Sequence, residues 1–350
     1  MTTPFQRLFV ATSKFSLLTT AALFSLFGWQ GNALARMDQR PEVVQFIQEM
    51  AKNHHFNQRQ LTKQFSAIRS NPKVIRFIRP PVSPGQRSWA RYQPRFVNSG
   101  RIDAGVKFWN THAKTLERAE KEYGVPAEII VGIIGVETIY GRHTGNFGTL
   151  EALATLAFDY PPRADFFRTE LEQFLLLSRE NRIDPLTIKG SFAGAIGVPQ
   201  FMPGSQRRYG VDFDHDGKVD LKNSVEDAIG SVARFLSMHG WVKNTPIATP
   251  VTAYQTIDPS WLESGILPRL KCKELHAAGI QTEAAQSGIE QCALIDLISP
   301  EQATEYWLGF ENFYVITRYN RSSFYAMSVF QLAQAIRQQK ETLSMARMNP

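Results

Sequence analysis

Two acidic features of this 350-residue sequence have neighbours that would give them chemistry. The first is Glu137. It ends the segment Ile129-Ile130-Val131-Gly132-Ile133-Ile134-Gly135-Val136-Glu137-Thr138, in which six residues are aliphatic. A segment apolar on nearly all sides is a buried helix. At helical spacing Glu137 shares a face with Ile130, Ile133 and Ile134. A carboxyl group on that face lies against core, so desolvation disfavours its charged form and raises its pKa. A carboxyl group protonated near neutral pH is what a general acid for a glycosidic oxygen requires. Gly132 and Gly135 remove side chains where another backbone must come close, and Gly141 and Gly145 allow an irregular loop that a ligand can approach. The bland alternative is a Glu at a helix end pointing into water.

The second feature is Asp212-Phe213-Asp214-His215-Asp216-Gly217-Lys218-Val219-Asp220, which reads as the first nine residues of an EF-hand loop. Asp212, Asp214 and Asp216 can point alternate carboxylates at one hard cation, and Gly217 permits the sharp turn. Lys218 would contribute its backbone carbonyl, with its charged end pointing away. The usual twelfth-position Glu is absent, since Asn223 stands there. A structural Ca2+ is expected and no organic cofactor. An acidic turn solvated by water is the alternative.

These residues need elements to hold them. Val43, Val44, Phe46, Ile47, Met50 and Ala51 recur at helical spacing, so 38–70 reads as helical, with a second stretch from Leu61 to Ile68 ending before Asn71-Pro72. Pro80, Pro81, Pro84, Gly85 and Pro94 mark an Arg-rich loop with Trp89 and Tyr92, which could line a groove or only connect. Helix resumes from Asp103 to Tyr123. Gly124 ends it and Pro126 opens the next. Residues 126–240 read as one helical unit holding nearly all the motifs. Residues 245–300 carry short Thr/Val/Ile segments, Pro, Gly and both cysteines, which reads as a small, partly β lobe; 301–340 return to helix.

The first 35 residues read as an address. Arg7 and Lys14 give a positive start with no acidic residue before position 36, an apolar run extends from Phe15 to Phe27, and Ala33-Leu34-Ala35 offers a small-residue cleavage site. That is the pattern of a secretory signal peptide cut after Ala35. A retained anchor is the alternative, for which the run is short. No Cys lies near the cleavage site, which excludes a lipid-modified N-terminal Cys. A soluble periplasmic protein is expected. Loss of Arg7 and Lys14 takes the formal charge from +7 to +5. Mild basicity suits a polyanionic surface; given export and the lack of a Lys/Arg block, nucleic acid is not an expected partner. Cys272 and Cys292 either form one disulfide or are two buried thiols, and two cysteines with no clustered His speak against a zinc site.

At Gly135-Val136-Glu137-Thr138 and Tyr140-Gly141-Arg142 the sequence resembles the membrane-bound lytic transglycosylase B family. Further matches follow in order: Leu150 to Pro161, Lys189 to Gly197, Pro199 to Pro203, Asp227 to Ala233, His239-Gly240-Trp241, Asn312 to Asn320, and Tyr325-Ala326-Met327. The likeness runs from about 38 to 340 and is densest over 124–241. It implies a mainly α protein: a lysozyme-like helical core with an additional helical domain and a small partly β lobe. The corresponding division is a signal peptide over 1–35, a helical region over 36–115 packing with 309–350, the catalytic core with its EF-hand-like loop over 116–245, and an α+β lobe over 246–308.

The resemblance also assigns roles. Glu137 matches the family's catalytic acid, and Tyr160, Ser191, Gln200, Tyr319, Asn320 and Tyr325 match positions lining its sugar groove. Asp227, sixteenth from Asp212, can close an enlarged cation loop, with Glu226 as rival. The implied reaction cleaves the β-1,4 bond between N-acetylmuramic acid and N-acetylglucosamine and leaves a 1,6-anhydro end, through one carboxyl group and the substrate's own acetamido oxygen. Ser191 would hold that acetamido group. Implied partners are peptidoglycan glycan strands and other cell-wall enzymes, and a monomer is expected. Phe235 and Val198 stand where the family often has Tyr, and no lipid-anchor Cys is present.

Two other readings compete. A muramidase that adds water needs a second carboxylate, for which Asp159, Asp165 and Asp184 are available but unpaired by any pattern. A non-catalytic peptidoglycan binder would tolerate loss of Glu137, which is present.

Overall fold

The computed structural model describes residues 36–80, 87–282 and 288–348. The expected signal peptide lies outside the described residues. The helices are α1 (Pro41–His54), α2 (Gln58–Ser66), α3 (Pro72–Ile78), α4 (Trp89–Tyr92), α5 (Ser99–Thr111), α6 (Ala113–Tyr123), α7 (Ala127–Thr138), α8 (Thr149–Asp159), α9 (Ala164–Glu180), α10 (Pro203–Tyr209), α11 (Val225–Met238), α12 (Pro259–Glu263), α13 (Cys272–Ala277), α14 (Glu311–Thr317) and α15 (Ser323–Met348). Their ends follow local rules. Asn57, Asn71, Asn98 and Ser224 cap α2, α3, α5 and α11 by accepting from backbone N–H groups of the first turn. Gly124 ends α6 in the left-handed conformation, at φ +73°.

Two apolar clusters build the helical body. In one, α5, α6, α7, α11, α14 and α15 share a core with Val198, Phe201, Phe213 and Leu221. In the other, Val43, Phe46, Ile47, Leu61, Phe65 and Val74 of α1 to α3 join the apolar faces of α8 and α9. Residues 36–115 divide between the two clusters. The apolar stripes of α1 to α3 find their partners on α8 and α9, while α5 lies against α7 and α15. Segment 189–201 joins the clusters, with Ile196 in the second and Val198 and Phe201 in the first.

The lobe contains a five-stranded antiparallel sheet with strands β3 (Ala248–Ala253), β4 (Leu270–Lys271), β5 (Gln281–Thr282), β6 (Gln291–Leu297) and β7 (Glu305–Gly309), in the order β4-β6-β7-β3-β5. Leu294 pairs with Leu308 and Thr249 with Leu308 from the other side, so β7 is central. Cys272 and Cys292 are buried free thiols in the lobe's apolar cluster. A separate ribbon pairs β1 (Phe147–Gly148) with β2 (Lys189–Gly190) and fixes the start of the segment holding Ser191. Among the described residues, no helix is long and apolar enough to cross a membrane.

Candidate active site and acidic loop

Every residue of α7 except Glu128 and Glu137 is buried. The glycine at 132 sets what lies across from it: a Cβ there would stand 2.9 Å from the Val329 carbonyl oxygen, so α7 and α15 meet backbone to backbone. This close approach brings Tyr325, just over one turn before Val329 on α15, to the end of α7. The Tyr325 hydroxyl donates to Glu137 Oε1 at 2.6 Å, across 188 residues of sequence. Gly135 does not face a backbone, as its type suggested; the space beside it holds the Tyr140 ring.

Glu137, like Glu128, keeps partial exposure, while the rest of α7 is buried. Burial pushes its pKa up to about 7, against the smaller opposing effect of the Tyr325 hydrogen bond. The tyrosines around it respond in turn. Burial, and then the charge of Glu137, raise Tyr325, Tyr319 and Tyr92. At neutral pH the site thus holds one carboxyl group poised to give a proton and a ring of phenols that keep theirs.

Tyr319 stacks on Tyr325 with centroids 6.4 Å apart, and its hydroxyl donates to Pro199 O at 2.6 Å. Thr138, fully buried, donates to Val198 O at 2.8 Å and accepts from Gly141 N at 2.9 Å. The Thr138 bond holds Val198 against the end of α7, and the Tyr319 bond fixes Pro199 after it. Gln200 sits at φ +52° and spends its amide nitrogen on Thr144 O and Gly197 O, so its amide oxygen is what it can offer a ligand. Ser191 Oγ accepts from Ala195 N at 3.0 Å, which leaves its own proton to donate. Asn320 is exposed and directly follows Tyr319. Tyr160 differs from the others: it packs at the end of α8 on the second cluster.

Of the two departures, Phe235 is buried between Tyr319, Tyr209 and His239, with ring centroids 4.8, 5.0 and 4.0 Å away. Val198 is buried core. Tyr92 is the residue that site reasoning passed over. Its only sequence signal was its place with Trp89 in an Arg-rich loop. The available second carboxylates are engaged elsewhere or exposed. Asp159 takes Arg40 at 2.8 Å and Ser70 at 2.6 Å, Asp184 accepts from Leu186 N, and Asp165 is exposed in the first turn of α9.

In the acidic loop, ligand atoms of Asp212, Asp214 and Asp227 all lie within 4.8 Å of one another. Asp216 is outside that group, with Oδ1 accepting from Lys218 N at 2.8 Å, and the Lys218 side chain is exposed. Asp227 is buried and ties the loop's two ends: Oδ1 accepts from Phe213 N at 2.7 Å and Asp214 N at 3.3 Å, Oδ2 from Asp220 N at 2.8 Å. Three of about four acceptor positions are used, which leaves room for one cation contact. Burial raises Asp227, against these N–H groups, and the Asp214 charge adds to the rise. Asp214 is lowered, first by the Ser224 hydroxyl at 2.6 Å. Glu226 faces away, toward His112 Nδ1 at 3.6 Å. Phe213 anchors the loop by filling the space beside Gly230, where a Cβ would stand 2.4 Å from its ring, under the Arg118 guanidinium. The donor set, hard carboxylate oxygens on a turn through Gly217 at φ +88°, fits a hard divalent cation.

The model of the transglycosylase SLT domain family matches residues 38–334. The membrane-bound lytic murein transglycosylase B of Escherichia coli (strain K12) is 43% identical over 305 residues, 85% of this chain and 82% of that protein. Soluble lytic transglycosylase SltB1 from Pseudomonas aeruginosa superposes with a TM-score of 0.79 at 46% identity, covering 86% of this chain and 100% of that one. The Escherichia coli lytic transglycosylase Slt35, solved with bulgecin A, gives 0.80 at 42% identity over 86% of this chain and 94% of its own; it has also been solved with calcium. The buried helix that ends in Glu137, the tyrosines around it and these likenesses lead to one conclusion: the chain belongs to the transglycosylase SLT domain family, as a homologue of lytic murein transglycosylase B, an enzyme that acts on peptidoglycan.

Proposed function

We propose that the enzyme cleaves the β-1,4 bond between N-acetylmuramic acid and N-acetylglucosamine without adding water, with Glu137 as its single acid and base. The observation that carries this is the Glu137 carboxyl group. Its pKa is raised to about 7, it accepts from Tyr325 at 2.6 Å, and Asp159, Asp165 and Asp184 lie elsewhere. Protonated Glu137 gives its proton to the glycosidic oxygen as the bond to muramyl C1 breaks. The substrate's acetamido oxygen bonds to C1 and spreads the positive charge. Glu137, now a carboxylate, takes the proton of the muramyl 6-hydroxyl as its oxygen bonds to C1 and releases the acetamido oxygen. The products are a free glycan end and a 1,6-anhydro end, and Glu137 is again protonated.

The named residues suit these steps. Ser191 has a proton to donate to the acetamido oxygen, Gln200 an amide oxygen for a sugar donor, Tyr319 and Tyr325 a stacked pair of ring faces, and Asn320 an exposed amide. Tyr160, at the end of α8, would line the same sugar groove. SltB3 from Pseudomonas aeruginosa, 28% identical, has been solved with NAG-NAM-pentapeptide and with NAG-anhNAM-pentapeptide, which supports the substrate and the anhydro end. Asp212, Asp214 and Asp227 would hold a structural Ca2+, with Asp216 and the Lys218 carbonyl completing the set. The ion's role there is to neutralise clustered carboxylates. Export with cleavage after Ala35 and action in the periplasm complete the reading.

The test is to digest purified sacculi with the mature protein and with Glu137→Gln and to analyse the fragments by mass spectrometry. Anhydro-muropeptides from the wild type alone are expected. Reducing ends would mean a hydrolase, and no release by either protein a binder.

A further inference from the structure

The helix carrying Glu137 ends in a conformation that its own residues resist. Ile139 and Tyr140 both lie in the left-handed region, at φ +51° and +58°. Two such residues in a row are uncommon, and a β-branched one is an outlier. Strain of this kind persists only where surrounding contacts hold it.

Those contacts come from α5. The Tyr140 ring lies in a slot between α5 and α7: a Cβ on Gly105 would stand 2.5 Å from the Tyr140 hydroxyl oxygen, and one on Gly135 2.6 Å. The hydroxyl donates to Arg101 O at 3.0 Å. The Arg101 guanidinium then returns to α7, where Nη1 donates to Gly135 O at 2.7 Å and to Val136 O at 3.3 Å. Nη2 donates to Arg95 O at 3.1 Å, and the group lies 5.3 Å from the Phe96 ring centroid. Arg101 is buried enough to lower its own pKa, and its Nε is buried with no hydrogen-bond partner among the described residues. The cation is thus held at a cost to its own solvation, with its donors on the carbonyls just before Glu137.

We infer that Arg101 and Tyr140 are positioning residues that lock the end of α7 so that the Glu137 carboxyl group stays beneath the Tyr325 hydroxyl and out of water. This rests on Glu137 being the acid of the reaction. The side chains facing that carboxyl group are Tyr325 of α15, Tyr319 before it and Tyr92 of α4. Arg101 reaches the backbone instead. The direction of a pH shift therefore separates two roles. Loss of a nearby cation by itself raises a carboxyl pKa, whereas release of the carboxyl group into water lowers it.

The experiment measures kcat and KM of Arg101→Met, Arg101→Lys, Tyr140→Phe and Glu137→Gln on soluble glycan strands across pH, with melting curves beside them. Arg101→Met is expected to lose about tenfold or more in kcat, with KM within about twofold, and to move the alkaline limb to lower pH. Arg101→Lys recovers part of the loss. Tyr140→Phe shows a smaller loss in the same direction and decides the matter if Arg101→Met does not fold. An unchanged kcat per folded molecule, or a limb that stays or moves up, overturns the positioning role. Wild-type activity in Glu137→Gln instead overturns the assignment of the acid itself.

Discussion

Glu137 and the loop Asp212–Asp220 use the same functional group in opposite ways. Glu137 is a single carboxyl group at the end of an aliphatic helix, with one hydroxyl donor, and burial raises its pKa to about 7. In the loop, exposed Asp214 is lowered, first by Ser224, and its neighbours accept from the N–H groups of their own turn. One arrangement makes a carboxyl group an acid. The other lowers the pKa of exposed Asp214 and gathers three carboxylates at one point, with buried Asp227 raised among them. Solvation and the number of donors separate proton chemistry from cation binding, whatever the residue type.

The sharpest break of this contrast is Glu137→Gln, which keeps the size of the side chain and removes its proton chemistry. Turnover of sacculi should fall by about 10²–10⁴-fold. On the other side, stripping the loop with EGTA should cost stability and leave the Glu137 chemistry in place. At a Ca2+ concentration of about 100 times Kd, the expected loss is about 3 kcal/mol, or roughly 5–10 °C in Tm. Asp214→Asn should abolish the difference between calcium and EGTA melting curves. An unmoved curve in both would count against the cation site.

Tyr325→Phe sharpens the Glu137 side. The lost hydrogen bond had favoured the charged form, so the pKa rises and the alkaline limb of the rate profile moves above about pH 7, with about a tenfold loss of kcat. This shift is opposite in sign to that expected of Arg101→Met. The smallest effect is on stability. The folded pKa of Glu137, about 7, exceeds its ordinary value of 4.5. Its contribution is therefore fully present below about pH 4.5 and is lost as pH rises through 7. Glu137→Gln should melt higher than the wild type at pH 8, by about 1–3 kcal/mol, and close to it at pH 5. Equal differences at both pH values would contradict a buried, protonated acid.

Much of this was legible one residue at a time. The aliphatic run over 129–136 announces a buried helix, and its register puts Glu137 against core. The cap Asn residues, Gly124 and Gly217 mark ends and turns through local geometry alone. Other features depended on parts of the chain that sequence does not place together. Gly135 looks like a site of backbone approach, yet its partner is a tyrosine five residues on, because the left-handed turn at 139–140 folds that ring back. Helices α1 to α3 carry apolar stripes that would fit several partners, and α8 with α9 took them.

By itself the sequence determined the carboxyl group, its greasy helix, the cation-type loop and the family pattern, since periodicity and spacing are local properties. Tertiary structure decided what surrounds the acid. The Tyr325 hydroxyl arrives from 188 residues away because glycine at 132 lets two helices close on each other. Tyr92 and the Arg101 brace arrive from α4 and α5 by the same close packing. Desolvation and hydrogen bonding act over a few ångströms, so only the packed chain sets them.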